Sequence, residues 1–352
     1  MTEQKKNISI VKRESTSISR VSKSIEITNK ILTVAEEPFL IPYRKGDKWG
    51  FCDKNKKIII PCRFEDADRF SEELATVKLN GKRGFINKAG KLVVPCIYDE
   101  TSQFFCDEGY KKEIFSEELA PVSYNGKYGY IDKTGKGIIP FKYDQAWIFS
   151  EGLAAVKLND KWGFIDRNGE VAIPCEYNNF DIDNPIFSEG IVAVDFNDKG
   201  GFINRAGEIV IPLIYDWTCN FHEGLAAIRN NHKWSFIDKT RRKVIPCRHT
   251  SFSSFSEGLA GVQFKGKYGY IDKTGKVVIP FKYDWKYTSN PFSEGLAVVT
   301  YNDKYGFIDK TGTEIIPLIY DLAWNFSKGL AKVKVNYKEG FINKEGAEFW
   351  ED

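Results

Sequence analysis

Histidine and methionine are scarce in this chain of 352 residues, which holds three of the first and one of the second. The histidines are His222, His232 and His249, and no serine stands in a Gly-x-Ser-x-Gly elbow. A serine-histidine nucleophile pair therefore has no sequence signature here. Seven cysteines occur, with no Cys-x-x-Cys pair. The odd count and the missing pair argue against both a zinc site and a complete disulfide framework. No phosphate-cradling Gly-x-Gly-x-x-Gly loop follows a strand. No stretch approaches the roughly 18 apolar residues of a membrane span, and the polar start has no apolar core of a secretory signal. These absences leave no candidate for catalysis, cofactor or metal, and the expected location is the cytoplasm, away from membranes.

Charge of one sign is lacking as well. Lys and Arg number 51 against 48 Asp and Glu, and residues 1–35 hold seven of the basic and three of the acidic side chains, leaving 44 against 45 for the rest. A neutral body without a basic stripe is not built for nucleic acid.

What the chain has in abundance is itself. "KYGYIDKTGKGIIPFKYD" from Lys127 to Asp144 returns as "KYGYIDKTGKVVIPFKYD" from Lys267 to Asp284, with sixteen of eighteen positions identical. An active site is one constellation of different residues, so a repeated segment points to a repeated structural task. A Gly-aromatic step recurs at Gly50, Gly84, Gly129, Gly163, Gly201, Gly269, Gly306 and Gly340, with Ser235 in the same slot, so nine copies are present at a basic spacing of 34 residues. A proline follows eleven residues later in the first eight copies, and a Phe-Ser-Glu-Gly-Leu-Ala element comes further on, as at Phe149 to Ala154. Cys62, Cys96, Cys175 and Cys247 all stand directly after the proline, where other copies carry Phe or Leu. A position that accepts Phe, Leu or Cys is an apolar packing position, and free cysteine behaves as a small hydrophobe.

With these residues in view, the chain resembles the bacterial WG-repeat (KWG-repeat) family, whose signature is like "DKWGFIDRNGEVAIPCEY" from Asp160 to Tyr177. The resemblance covers roughly residues 38–352. It implies an all-β module with no general catalytic residues. The tryptophan of the name is present only at Trp49, Trp162 and Trp234, with Tyr128, Tyr268 and Tyr305 elsewhere.

Each unit reads as three strands. Leu153 to Val156 opens an apolar run that ends at Asn159 and Asp160; Trp162 to Ile165 forms the second strand; Asp166 to Gly169 makes a turn, and Glu170 to Ile173 the third strand, which Pro174 is expected to stop because it has no amide hydrogen. Twenty-seven such strands exceed the roughly ten that an open twisted sheet carries before it curls or splits. Propellers close with four to eight four-stranded blades of about forty residues or more, whereas a solenoid grows without limit. The expected fold is all-β: 34-residue antiparallel meanders in an elongated superhelical β-solenoid, with a β-propeller-like ring as the alternative. Residues 1–16 read as a flexible basic leader, 17–37 as a possible cap, and 38–352 as the array.

Such an array is expected to be a non-enzymatic scaffold that binds a protein or peptide over an extended surface, or alternatively a carbohydrate-binding module using edge aromatics. The insertions all fall between the Tyr-Asp step and the Phe-Ser element, and insertions confined to one face of a repeat protein mark its binding face. Trp147, Trp217, Trp285 and Trp324 stand in those connections, joined by Tyr287. They are the candidate partner contacts, although packing between units would use the same residues. In the sixth copy Arg241 replaces the turn glycine, and with Arg242, Lys243 and Arg248 it makes a candidate anion spot.

Overall fold

The hairpin is the element from which everything else is built, and its turn explains the sequence between its strands. Strands Leu119–Tyr124 and Lys127–Asp132 are joined by Asn125 and Gly126, at φ 52° and 74°, and strands Ala154–Leu158 and Lys161–Ile165 by Asn159 and Asp160, at φ 51° and 61°. Two consecutive left-handed residues make the turn whose twist matches that of paired strands, which is why Asn, Asp and Gly recur there. The next turn is set by its aspartate. Asp272 Oδ1 accepts hydrogen bonds from the Thr274 and Lys276 amides at 2.9 and 3.0 Å and from the Thr274 hydroxyl at 2.6 Å, while Gly275 takes φ 84°. The computed structural model that shows this describes residues 39–71, 73–99, 114–180, 185–231, 233–246, 251–284 and 291–352.

The third strand does not stop at its proline. Val171–Tyr177 runs through Pro174, pairing Ile173 with Phe164 and Tyr177 with Trp162. Three residues of this strand thus oppose a single one, Gly163, and the bulge lets Pro174 sit on an edge where its missing N–H breaks no ladder. The bulge also explains the recurrent glycine. A Cβ at Gly163 would lie 2.6 Å from the Ile173 carbonyl oxygen and 2.7 Å from the Cys175 nitrogen, and Gly50, Gly84 and Gly306 face the same obstruction.

A fourth strand, only two residues long, follows the third after one residue. Asp66–Ala67, Gln145–Ala146, Trp217–Thr218 and Leu322–Ala323 each pair antiparallel with the first long strand of the next repeat. Among the described residues there are eight sheets. Most have four strands, and a six-stranded one carries the seventh and eighth hairpins, joined at the single pair Asp284↔Thr300. The last described strand, Trp350–Glu351, pairs in parallel with Ile41–Lys45 of the first repeat, and Gly46 N donates to Glu351 O at 2.8 Å.

This closure overturns the superhelical solenoid. The array is a β-propeller, a ring of small sheets. The limit on open sheets was the wrong constraint, because the strands belong to separate small sheets packed face to face. The closing strand escaped notice because it is two residues long and parallel.

The core lies between repeats rather than inside them. Leu74, Phe85, Val94 and Tyr98 of the second repeat are buried against Phe115, Ala120, Val122 and Ile131 of the third. In each interface the phenylalanine of the Phe-Ser element meets the aromatic that follows the recurrent glycine of the preceding repeat. The pairs are Phe51–Phe70, Phe85–Phe115, Tyr130–Phe149, Phe164–Phe187, Phe202–Phe221, Phe236–Phe255, Tyr270–Phe292 and Phe307–Phe326, with ring centroids 4.8–5.1 Å apart. At the ninth interface the partner is different. Phe341 meets Trp49 at 5.9 Å and the guanidinium of Arg69 at 5.9 Å.

A recurrent glycine and a variable one give a paired test. Gly163→Ala should lose about 1–3 kcal/mol by forcing the bulge apart. Gly137→Val, which copies Val277 into a strand position with nothing within 4 Å, should leave stability unchanged or raise it by up to about 1 kcal/mol. Chemical denaturation of both variants checks the pair, and equal losses would contradict the bulge explanation.

Candidate functional site

The tryptophans of the variable connections do not share one environment. Trp147 is buried, and its carbonyl accepts the hydroxyl of Tyr130 at 2.7 Å. Trp217, in a two-residue strand, is half-buried beneath Arg229, whose guanidinium stands 5.4 Å from the Trp217 ring and 5.5 Å from that of Trp234. Trp324 is half-buried with the Lys332 ammonium 5.8 Å from its ring. Trp285 and Tyr287 lie outside the described residues. Packing and cation–π contact thus occupy the three described tryptophans.

The basic spot is partly assembled. Arg241, Arg242 and Lys243 are exposed, and Arg248 lies outside the described residues. Arg242 Nε pairs with Asp238 at 3.0 Å. Arg241 has φ 68°, the left-handed conformation that most copies give to glycine and the first gives to Lys56, and its amide donates to Asp238 O at 2.8 Å. Among the described residues no group of three or more His, Cys, Asp or Glu is placed to hold a metal, and no helix is long and apolar enough to cross a membrane.

The recurring glutamates carry a role that the sequence reading missed. Each reaches the neighbouring repeat. Glu189 accepts from Gly224 N at 2.9 Å and pairs with Lys239 at 3.1 Å; Glu223 does the same with Gly258 and Lys273, Glu257 with Gly295 and Lys310, and Glu294 with Gly329 and Lys344. These glutamates hold φ of 53–56°. A non-glycine residue kept left-handed at the same point of successive repeats was the available signal, and it is visible only in the backbone.

The surface left free is the outer edge. Each third strand ends its sheet, apart from Val277–Asp284 with its single pair to the next hairpin. It shows β-branched and other apolar residues to solvent: Val171 and Ile209 are about 60% exposed, at 61% and 60%, and Ile58, Ile59, Leu92, Ile97, Val210, Ile214 and Ile319 are exposed too. Exposed apolar residues concentrated on unpaired edges are a docking feature or a liability.

A family model, "WG containing repeat", matches residues 49–82, 84–110, 128–162, 162–199, 201–234, 234–268, 268–305 and 305–338. The chain belongs to the WG-repeat family. Eight matches arise from nine hairpins because a matched segment runs from the second strand of one meander into the hairpin of the next, except that 84–110 ends short of the third hairpin. No curated relative matches the chain. Among solved structures, this WG propeller is similar to a eukaryotic initiation factor, with TM-score 0.60, 12% identity, and coverage of 88% of this chain and 94% of that one. It is also similar to BamB from Moraxella catarrhalis, with TM-score 0.48, 11% identity, and coverage of 81% and 97%. At such identities the likeness concerns the fold alone.

Two outcomes follow from these turns and ties. Arg241→Gly should raise stability by up to about 1 kcal/mol, because glycine adopts positive φ without a Cβ penalty; a lower melting temperature would give the arginine side chain a role of its own. The second concerns acid. Burial works against the carboxylates of Glu189 and Glu257, yet the Gly224 amide and Lys239 in one case, and Lys310 and the Gly295 amide in the other, hold them below the usual glutamate range. A depressed folded pKa stabilises above the unfolded value, about 4.3, and that stability disappears as pH falls through the folded value. Melting of the wild type should therefore be level above roughly pH 5 and fall below roughly pH 4. Glu189→Gln should start lower and fall less steeply, and parallel curves would remove the tie from the explanation.

Proposed function

We propose that this WG propeller is a non-enzymatic scaffold that takes up an extended protein or peptide segment on the free edges of its third strands. The observation that carries the reading is the coincidence of an unpaired backbone edge with exposed Val171, Ile209, Val210 and their counterparts. A strand added to such an edge gains main-chain hydrogen bonds, and alternate side chains supply selectivity. The prolines confine this pairing to the residues before the bulge, so a partner would read a short stretch from each repeat it crosses. A sugar would need an open ring face. Trp217 and Trp324, the half-buried tryptophans of the variable connections, each have a cation over the ring, which supports peptide over carbohydrate.

Selection of a displayed random-peptide library on the folded ring tests the reading. Bound peptides should be rich in β-branched residues, and Val171→Lys with Ile209→Lys should weaken them at least tenfold, about 1.4 kcal/mol, while melting stays within a few degrees. Peptides that bind the doubly charged variant equally well would place the docking surface elsewhere.

A further inference from the structure

Where the ring closes, several departures from the repeat pattern are charged. Lys332 stands where the other first strands carry the small or uncharged Thr76, Pro121, Ala155, Ala193, Ala227, Gly261 and Val298. Glu339 stands in the slot of the family tryptophan or tyrosine. Arg69 replaces the isoleucine of Ile114, Ile148 and Ile186, and Lys328 replaces the tie-forming glutamate.

In the folded chain these departures come together. Lys332 Nζ, its side chain 15% exposed, forms an ion pair with Glu339. Burial opposes its charge, but Glu339, Asp68 and Asp66 together hold its pKa up. Arg69 donates from Nη1 to the carbonyls of Ser327 and Leu330 at 2.6 and 2.9 Å. Arg83 Nη2 meets Asp66 at 3.2 Å. Arg44, almost fully buried, donates from Nε to Glu339 O at 2.7 Å and from Nη1 to Gly46 O at 2.6 Å, and pairs with Asp352 at 2.8 Å. The ninth repeat is thereby held to the first through Arg44 and to the start of the second through Arg69.

Apolar contact cannot choose this arrangement. The faces that meet at the other eight interfaces are near copies, so the ninth repeat could pack on the second and leave the first out. Buried charge is a poor source of stability, since apolar groups of similar volume do as well or better, and its best-attested use is to specify register. We propose that the Arg44, Arg69, Lys332 and Glu339 cluster is a register latch: it selects closure of the ninth repeat on the first and disfavours closures that omit a repeat. A closure that omits the first repeat takes Arg44 away from the Glu339 carbonyl and Asp352 and leaves Trp350–Glu351 without Ile41–Lys45 to pair with, and that loss supplies the selection.

The test returns the latch to the residues of ordinary repeats, Arg44→Thr with Arg69→Ile and Lys332→Ala. Hydrogen exchange with mass spectrometry on peptides from residues 40–64 reads whether the first repeat is docked, and light scattering reads association through its exposed face. The wild type should give one protected isotope envelope and a monomeric mass. The triple variant should keep its β-sheet circular dichroism but give two envelopes, one unprotected, and a mass that rises with concentration. Lys310→Ala, which removes an interior tie to Glu257, should behave as wild type. A single protected envelope in the triple variant overturns the latch, as does unprotected 40–64 in the wild type. Global unfolding of the triple variant also overturns it, since a specificity device replaced by the residues of ordinary repeats should leave the fold standing.

Discussion

The ring rests on one contact made eight times, a phenylalanine from the loop of one repeat set against the aromatic that follows the recurrent glycine of the repeat before. A single meander has two apolar faces and little interior of its own, so its strands are stable only when both faces are covered. The paired rings supply the centre of each interface, and aromatic pairs at edge or tilted geometry add to the area they bury. The recurrent glycine serves the same contact at one remove. By letting the bulged third strand lie directly over the second, it keeps the sheet thin where the next repeat packs on it.

Much of this was legible in the sequence, because local chemistry decides it. Asn-Gly and Asn-Asp turns, the Asp-x-x-Gly turn, the alternation of the strands and the apolar position after the proline all report on their own few residues. The ring was not legible, and the reason lies in two elements too short to carry a pattern. Asp66–Ala67 and its counterparts add the fourth strand with two residues, and Trp350–Glu351 completes the circle with two more. Neither length allows a periodicity to show. The open-sheet limit then misled, because it treats the strands as one sheet, whereas interfaces formed by side chains interrupt the ladder between repeats.

The candidate site was legible in part for a related reason. A tryptophan in a variable connection has the same appearance in sequence whether it faces a partner or the next repeat, and Trp147, buried beside Tyr130, shows how close the two cases are. The glutamates of the Phe-Ser-Glu element posed the converse problem. Standing beside a glycine, they give no sign in sequence of a distant partner, but the left-handed backbone turns the carboxylate toward the following repeat, where it finds an amide and a lysine. Their strain is tolerated because each tie satisfies a backbone donor that would otherwise lack an acceptor.

Repetition and closure place opposite demands on a sequence. Repetition is served by identical interfaces, since each repeat then fits any neighbour. Closure in one register requires that one interface differ, or the chain has several rings of nearly equal stability. The ninth interface differs in kind: where the others place a phenylalanine on an aromatic ring, it places Trp49 and the guanidinium of Arg69 around Phe341, and it adds the buried Arg44, which only the first repeat brings to the Glu339 carbonyl and Asp352. Any other repeat that carried such a tie would offer a second place to close. A sequence so regular elsewhere can keep its outer edges interchangeable, each third strand presenting the same backbone with a different set of exposed side chains. On the proposed reading, selectivity for a partner would come from which repeats it spans, and the fixed register keeps those repeats in one order around the ring.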